Sequence, residues 1–170
     1  PRRLMAEVLH DAIAGITDVP TVFDKLVLTD GSTQDTKAYP KGTRALQLAD
    51  SSVGSYFLKT FGRNERAITC ECERSETPSM VQVLHLSNGS TLNEKLKSKE
   101  CSVTGLVGTE KNTARLIDEV YLRCLARFPT KREKDGLIGV FNETPENEQR
   151  QAVEDLFWAL MTSREFLFQH

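Results

Sequence analysis

Two carboxylates two positions apart in an extended run lie on the same side of the chain, about 7 Å from each other at strand rise. From Ala67 to Glu73 the residues alternate in this way, with Ile68, Cys70 and Cys72 on one side and Thr69, Glu71 and Glu73 on the other. Arg74 follows directly, and a guanidinium forks to such carboxylates better than an ammonium does. Arg74, helped by Arg44 or Arg63, is therefore expected to organise Glu71 and Glu73 into a salt-bridge network. The alternative is a ligand or substrate site built from Arg44, Asp50, Glu71, Glu73 and Arg74. A second pair, Glu7 and Asp11, follows Arg3 at four-residue steps along a helix. It reads as a solvated face, or else as a docking or catalytic pair turned towards a part of a longer chain. His85 stands at helical spacing from Val81 and reads as a partly buried packing histidine rather than a base. His10 reads as a helix-surface residue. A Ser51, His85 and Asp50 triad is rejected, because Asp50-Ser51-Ser52-Val53-Gly54 lacks the near-side glycine of a nucleophile elbow.

The cysteines are Cys70, Cys72, Cys101 and Cys124. They form no Cys-x-x-Cys pair and no haem-attachment motif. Cys124 falls on an apolar helix stripe and reads as core. Cys70, Cys72, Cys101 and His85 have the ligand types for zinc, but Cys-x-Cys is a poor spacing for it. A disulfide from Cys101 to Cys70 or Cys72, and free thiols, are the remaining readings. No metal and no cofactor are expected in this chain.

Helices are the elements that must position these groups. Leu4, Met5, Val8, Leu9, Ala12, Ile13 and Ile16 predict an amphipathic helix over 3–16 that ends near Gly15. Arg2 and Arg3 would sit at the wrong end of its dipole. Periodicity then vanishes from Thr17 to Gln47, a length that suits a loop wrapped over the helices or an interface. Val22, Phe23, Leu26, Val27 and Leu28 are expected to pin it. A short helix within 50–61 is closed by Gly62. Thr77-Pro78 starts a helix that Asn88-Gly89 ends, and Thr91 with Glu94 caps another through Lys99. Leu116, Ile117, Val120, Tyr121, Cys124 and Leu125 form one helix face. Thr130 with Glu133 caps the next, which carries Leu137, Ile138 and Phe141. Thr144-Pro145 opens the last long helix, burying Ala152, Val153, Leu156, Phe157, Leu160 and Met161, with Trp158 half buried beside them. Ser163 caps a final turn with Phe166 and Leu167. The expected fold is all-α or α-dominated: an irregular helical bundle with a long wrapped loop and at most one short strand pair, forming a single helical domain over 1–170.

Lys and Arg total 22 against 24 Asp and Glu, so the net charge of −2 supplies no long-range pull on nucleic acid or anionic lipid. The longest apolar run, Leu156 to Met161, is far too short to cross a bilayer. The abrupt start Pro1-Arg2-Arg3 reads as a piece cut from a longer protein.

Several blocks together resemble a known family. They are Arg2-Arg3-Leu4 with Ala6-Glu7-Val8-Leu9, Gly42-Thr43-Arg44-Ala45, Tyr56-Phe57-Leu58, Phe61-Gly62-Arg63, Cys70-Glu71-Cys72-Glu73-Arg74-Ser75, Leu84-His85-Leu86 and Ser163-Arg164-Glu165-Phe166. The chain resembles the C-terminal domain of unknown function of large planctomycete-type proteins, the fifteen-fifty-three family. The resemblance implies companion domains in the same full-length chain, often a cytochrome c-like domain carrying the haem motif, and an extracytoplasmic location. It carries over no catalytic residues. The leading expectation is a non-catalytic interaction or scaffold domain, with companion domains as partners and neither nucleic acid nor a membrane span. The alternative is half of an enzyme site for polysaccharide or another extracellular substrate. A scaffold should expose an apolar patch, whereas a half-site should gather Glu7, Asp11, Arg44, Glu71 and Arg74 on one open cleft.

Overall fold

A computed structural model describes residues 2–63 and 79–169. Its first helix, α1 (Ala6–Thr17), begins after Met5 rather than at Arg3. Arg2 and Arg3 instead form strand β1 (Arg2–Arg3), which pairs antiparallel with Phe168–Gln169 at the other end of the chain. The arginines therefore do not oppose the helix dipole. Helix α1 also runs past Gly15. The Thr17 hydroxyl donates to the Ile13 carbonyl at 2.7 Å, and Asp18 takes the left-handed conformation (φ 57°) that ends the helix.

The segment after α1 wraps over the helices as its lack of period predicts. It holds the short hairpin β2 (Lys25–Val27) and β3 (Thr33–Asp35), and β2 is also bridged to Val53 through Leu26. Of the five apolar residues expected to pin it, Phe23 is buried and Leu26 half buried, while Val22, Val27 and Leu28 face solvent. The hairpin is the one short strand pair expected. The pairing of the two chain ends adds a second.

A 3₁₀ turn at Ala45–Gln47 leads to α2 (Tyr56–Thr60), which is capped by the Ser55 side chain and closed by Gly62 at φ 89°. Next come α3 (Met80–Asn88) and α4 (Ser90–Lys97), joined by Gly89 alone. The capping box of α3 is Ser79 with Gln82, whereas Thr77 and Pro78 lie outside the described residues. Helix α4 starts at Ser90, one residue before the expected Thr91 cap, so no Thr91–Glu94 box forms. Periodicity gave no warning of α5 (Ser102–Thr109), which contains Gly105 and Gly108 and buries Val103 and Leu106.

The C-terminal part follows its caps. Helix α6 (Thr113–Leu125) is capped by Asn112, and α7 (Lys131–Glu143) by the Thr130–Glu133 box. A 3₁₀ turn at Glu146–Glu148 leads into α8 (Gln149–Met161), and Ser163 caps α9 (Arg164–Leu167) before β4 (Phe168–Gln169). Helix α8 packs against α4, α5, α6 and α9, so its stripe of Val153, Leu156, Phe157, Leu160 and Met161 is the centre of the core. Trp158 is half buried at its edge. Arg127 ties three pieces of this region together. It forks to Glu165 (2.6 and 2.8 Å) and to Glu133 (3.0 and 3.1 Å), and it lies over the Tyr121 ring at 5.3 Å. Hydrogen bonds from Arg127 and Thr130 draw the Glu133 carboxyl down to about 2.

Truncating Phe157 to Ala should cost roughly 3–5 kcal/mol by leaving a cavity in fully enclosed packing. Urea unfolding measures this, and a loss below about 1 kcal/mol would remove α8 from the centre of the core. A methyl group at Gly89 would stand 2.1 Å from the His85 carbonyl oxygen. Gly89→Ala should therefore push α3 and α4 apart and lower stability by about 1–3 kcal/mol in the same assay.

Candidate functional site

Helix α1 carries its charges on the side away from Leu9 and Ile13, and that side is covered by the chain from Arg44 to Arg63. Glu7 is buried there and faces Arg63, whose Nε lies 3.6 Å from Glu7 Oε1. Arg63 Nη2 also donates to the carbonyl oxygens of Leu48 (3.1 Å) and Asp50 (3.2 Å). One turn further along α1, the Asp11 carboxylate accepts from the backbone N–H groups of Ala45 (2.6 Å) and Leu46 (3.1 Å) and lies 3.6 Å from Arg44 Nε. Those two N–H groups open the 3₁₀ turn, so Asp11 acts as its cap from a distant part of the sequence. Asp50 Oδ1 accepts from the Ser52 N–H (2.9 Å) and hydroxyl (2.7 Å), and the Asp50 N–H donates to the Tyr39 hydroxyl (3.2 Å). Arg3 closes the lower edge, donating to Gln82 Oε1 and to the Phe61 carbonyl (2.8 Å) and lying over the Phe61 ring at 5.5 Å.

The result is a shallow cleft of about 280 Å³ with Glu7 and Arg63 on its wall, lined also by Met5, Leu46, Leu48 and Ser51. Glu7, Asp11, Arg44 and Asp50 are thus brought into one region. The solvated-face reading of Arg3, Glu7 and Asp11 is corrected, because later parts of the chain fold over them and supply partners: residues 44–46 for Asp11, Arg63 for Glu7, and Phe61 with Gln82 for Arg3. Chemically, each of the two carboxylates faces a guanidinium of its own chain, Glu7 that of Arg63 and Asp11 that of Arg44, and Asp11 also accepts from two backbone N–H groups. Through Asp11 that arrangement fixes the 3₁₀ turn at Ala45–Gln47 against α1. Glu71, Glu73 and Arg74, with Cys70 and Cys72, lie outside the described residues.

His85 stands elsewhere, on α3. Its ring packs on Tyr56 (5.1 Å), Phe57 (5.6 Å) and Phe61 (6.2 Å), and its Nε2 shares a hydrogen bond with the Thr91 hydroxyl (3.2 Å). Burial holds its pKa below the ordinary histidine value. His10 was expected on the surface and is instead 2% exposed. The wrapped segment seals it: Nε2 meets the Thr21 hydroxyl at 3.0 Å, and the ring sits 5.5 Å from both Phe23 and Phe57. Lys95 of α4 reaches the same strap and donates to the Val19 carbonyl, and its burial pushes the ammonium down to about 8. Burial and that nearby ammonium lower the His10 pKa. Sequence reasoning named Arg63 only as a helper and missed Gln82 and Lys95. The one local signal was the four-residue step from Arg3 to Glu7, which marks a shared face without saying what covers it.

Cys101 and Cys124 are buried free thiols, and burial pushes Cys124 up to about 12, well away from a reactive thiolate. No group of three or more His, Cys, Asp or Glu side chains suited to a metal occurs among the described residues.

The PSD1 family, described as "Protein of unknown function (DUF1553)", matches the chain over residues 1–141. No curated protein and no solved structure matches it.

Arg63→Ala should destabilise the fold by about 3–5 kcal/mol, since it removes a buried guanidinium that faces Glu7 and donates to the Leu48 and Asp50 carbonyls. Arg63→Lys should recover only part of this, because an ammonium cannot span Glu7 and both carbonyls. Urea unfolding decides the matter: a loss under about 1 kcal/mol for the alanine variant would place the pair in the class of solvent-screened surface bridges. His10 has a lower pKa folded than unfolded, so the unfolded chain binds its proton more readily. Its contribution is complete above the unfolded value of 6.5 and is lost as pH falls through the folded value. The Tm of the wild type should therefore fall more steeply than that of His10→Phe on acidification from about pH 7 to 5. Parallel curves would show that His10 carries none of the acid sensitivity.

Proposed function

We propose that this chain, which belongs to the DUF1553 family of proteins of unknown function, is a non-catalytic helical interaction module that seats a companion domain of the same full-length protein. The observation that carries this reading is the outer face of α3. Met80 is 72% exposed, Val81 53%, Val83 55% and Leu84 55%, while only Gln82 and Leu86 of that helix are buried inward. Tyr56, also exposed, adjoins the patch through its contact with His85. Large aliphatic side chains grouped in this way are stabilised when a partner removes them from water.

The polar region supports the same reading. Asp11 is turned onto the backbone N–H groups of Ala45 and Leu46 and onto Arg44, and Glu7, although it lines the cleft, faces Arg63 of the same chain. The family resemblance supports an extracytoplasmic, haem-linked parent protein, with any haem held by a companion domain and no cofactor in this chain. The net charge of −2 supports partners other than nucleic acid. Among the described residues, no helix is long and apolar enough to cross a membrane.

Hydrogen exchange across residues 80–88 tests the reading. In the full-length protein these amides should exchange at least about tenfold more slowly than in the 170-residue chain alone. The double variant Met80→Asp/Leu84→Asp should abolish the difference while leaving the circular dichroism of the isolated chain unchanged. Equal exchange in the two proteins would refute the proposed contact.

A further inference from the structure

Helices α7 and α8 both pack on α6 rather than closely against each other, and the 3₁₀ turn at Glu146–Glu148 joins them at one end. Between them lies an open groove of about 400 Å³. Its apolar lining comes from Leu137, Val140 and Phe141 of α7 and from Ala152, Leu156 and Ala159 of α8. Val140 is 56% exposed, a large β-branched side chain left in water. The charged lining residues are Glu148 and Asp155, both acidic and both solvent-exposed, and no cation lines the groove.

The dimensions and the charge together specify an occupant. From Glu148 to Ala159 the groove follows three turns of α8, about 16 Å at helical rise. A trough of that length between two helices fits the apolar ridge of a third, and such a helix would complete a four-helix arrangement with α6, α7 and α8. The one-sign rim requires positive charge along the edge of the guest that meets it. We propose that the α7–α8 groove docks a single amphipathic helix of a partner protein, apolar along one ridge and carrying lysine or arginine along the edge facing Glu148 and Asp155. This surface is separate in sequence from the α3 face, and the inference does not depend on the companion-domain reading.

The probes are two synthetic helical peptides of about 14 residues, identical in their leucine ridge. One is edged with lysine and the other with glutamate. Binding to the 170-residue chain is read by the emission of its single tryptophan, Trp158, and the footprint by backbone amide shifts. The lysine-edged peptide should bind at least about tenfold more tightly than its counterpart at low salt. The shifted amides should fall within 137–141 and 148–159. In Glu148→Lys/Asp155→Lys the preference should reverse. Val140→Asp should weaken both peptides, while the circular dichroism stays as in the wild type. Any of four results overturns the proposal: no saturable binding of either peptide, equal affinity for both, an unchanged preference in the charge-swapped protein, or a footprint centred on Met80–Leu84.

Discussion

A helix buried on its polar side as well as its apolar side must find a partner for every charge it carries, since an uncompensated charge away from water costs several kcal/mol. Helix α1 is in that position. Leu9 and Ile13 lie against the other helices, while Glu7, His10 and Asp11 lie beneath a segment without helical period. Each carboxylate is met from elsewhere in the chain: Glu7 by Arg63, just after α2, and Asp11 by two backbone N–H groups and Arg44 of the wrapped segment. The requirement runs in both directions. The carboxylates need covering, and the loop, with few apolar anchors of its own, needs the carboxylates to hold it in place.

The same economy governs the other half of the molecule. Arg127 follows α6 and takes the carboxylates of Glu133 and Glu165 together, fixing the start of α7 and the terminal turn α9 to a single guanidinium. Glu133 closes the capping box of α7 with a third hydrogen bond, accepted from the Thr130 N–H at 2.7 Å. Planar, multidentate geometry lets one arginine serve two acids at once, a task for which lysine has no equivalent shape. Aliphatic burial centred on α8 then connects this region to α1 through α4 and α5.

These arrangements tie Glu7 and Asp11 to groups of the same chain. The carboxylates with suitable spacing are engaged in holding the wrapped loop. Among the described residues, large apolar side chains lie exposed on the outer face of α3 and, at Val140, in the groove between α7 and α8.

The α-dominated class, the capping of α7 by Thr130 and Glu133, the Ser163 cap, the close of α2 at Gly62 and the stripe of α8 were all legible in the sequence, because each depends on residues within a turn or two of one another. The gathering of Glu7, Asp11, Arg44 and Asp50 was legible as a set of candidates, but not as a buried anchor. Helix α5 escaped notice because Gly105 and Gly108 weaken its local signal, and only packing of Val103 and Leu106 holds it. Which face of α1 meets water depends on where residues 44–63 return in space, and no periodicity within α1 records that. His10 looked like a surface residue and became core when Thr21 and Phe23 closed over it. Lys95 likewise became an anchor through Val19, 76 positions away. Local hydrogen bonding and hydrophobic period set the elements, whereas burial of the charged groups followed from long-range closure that only the tertiary structure decides.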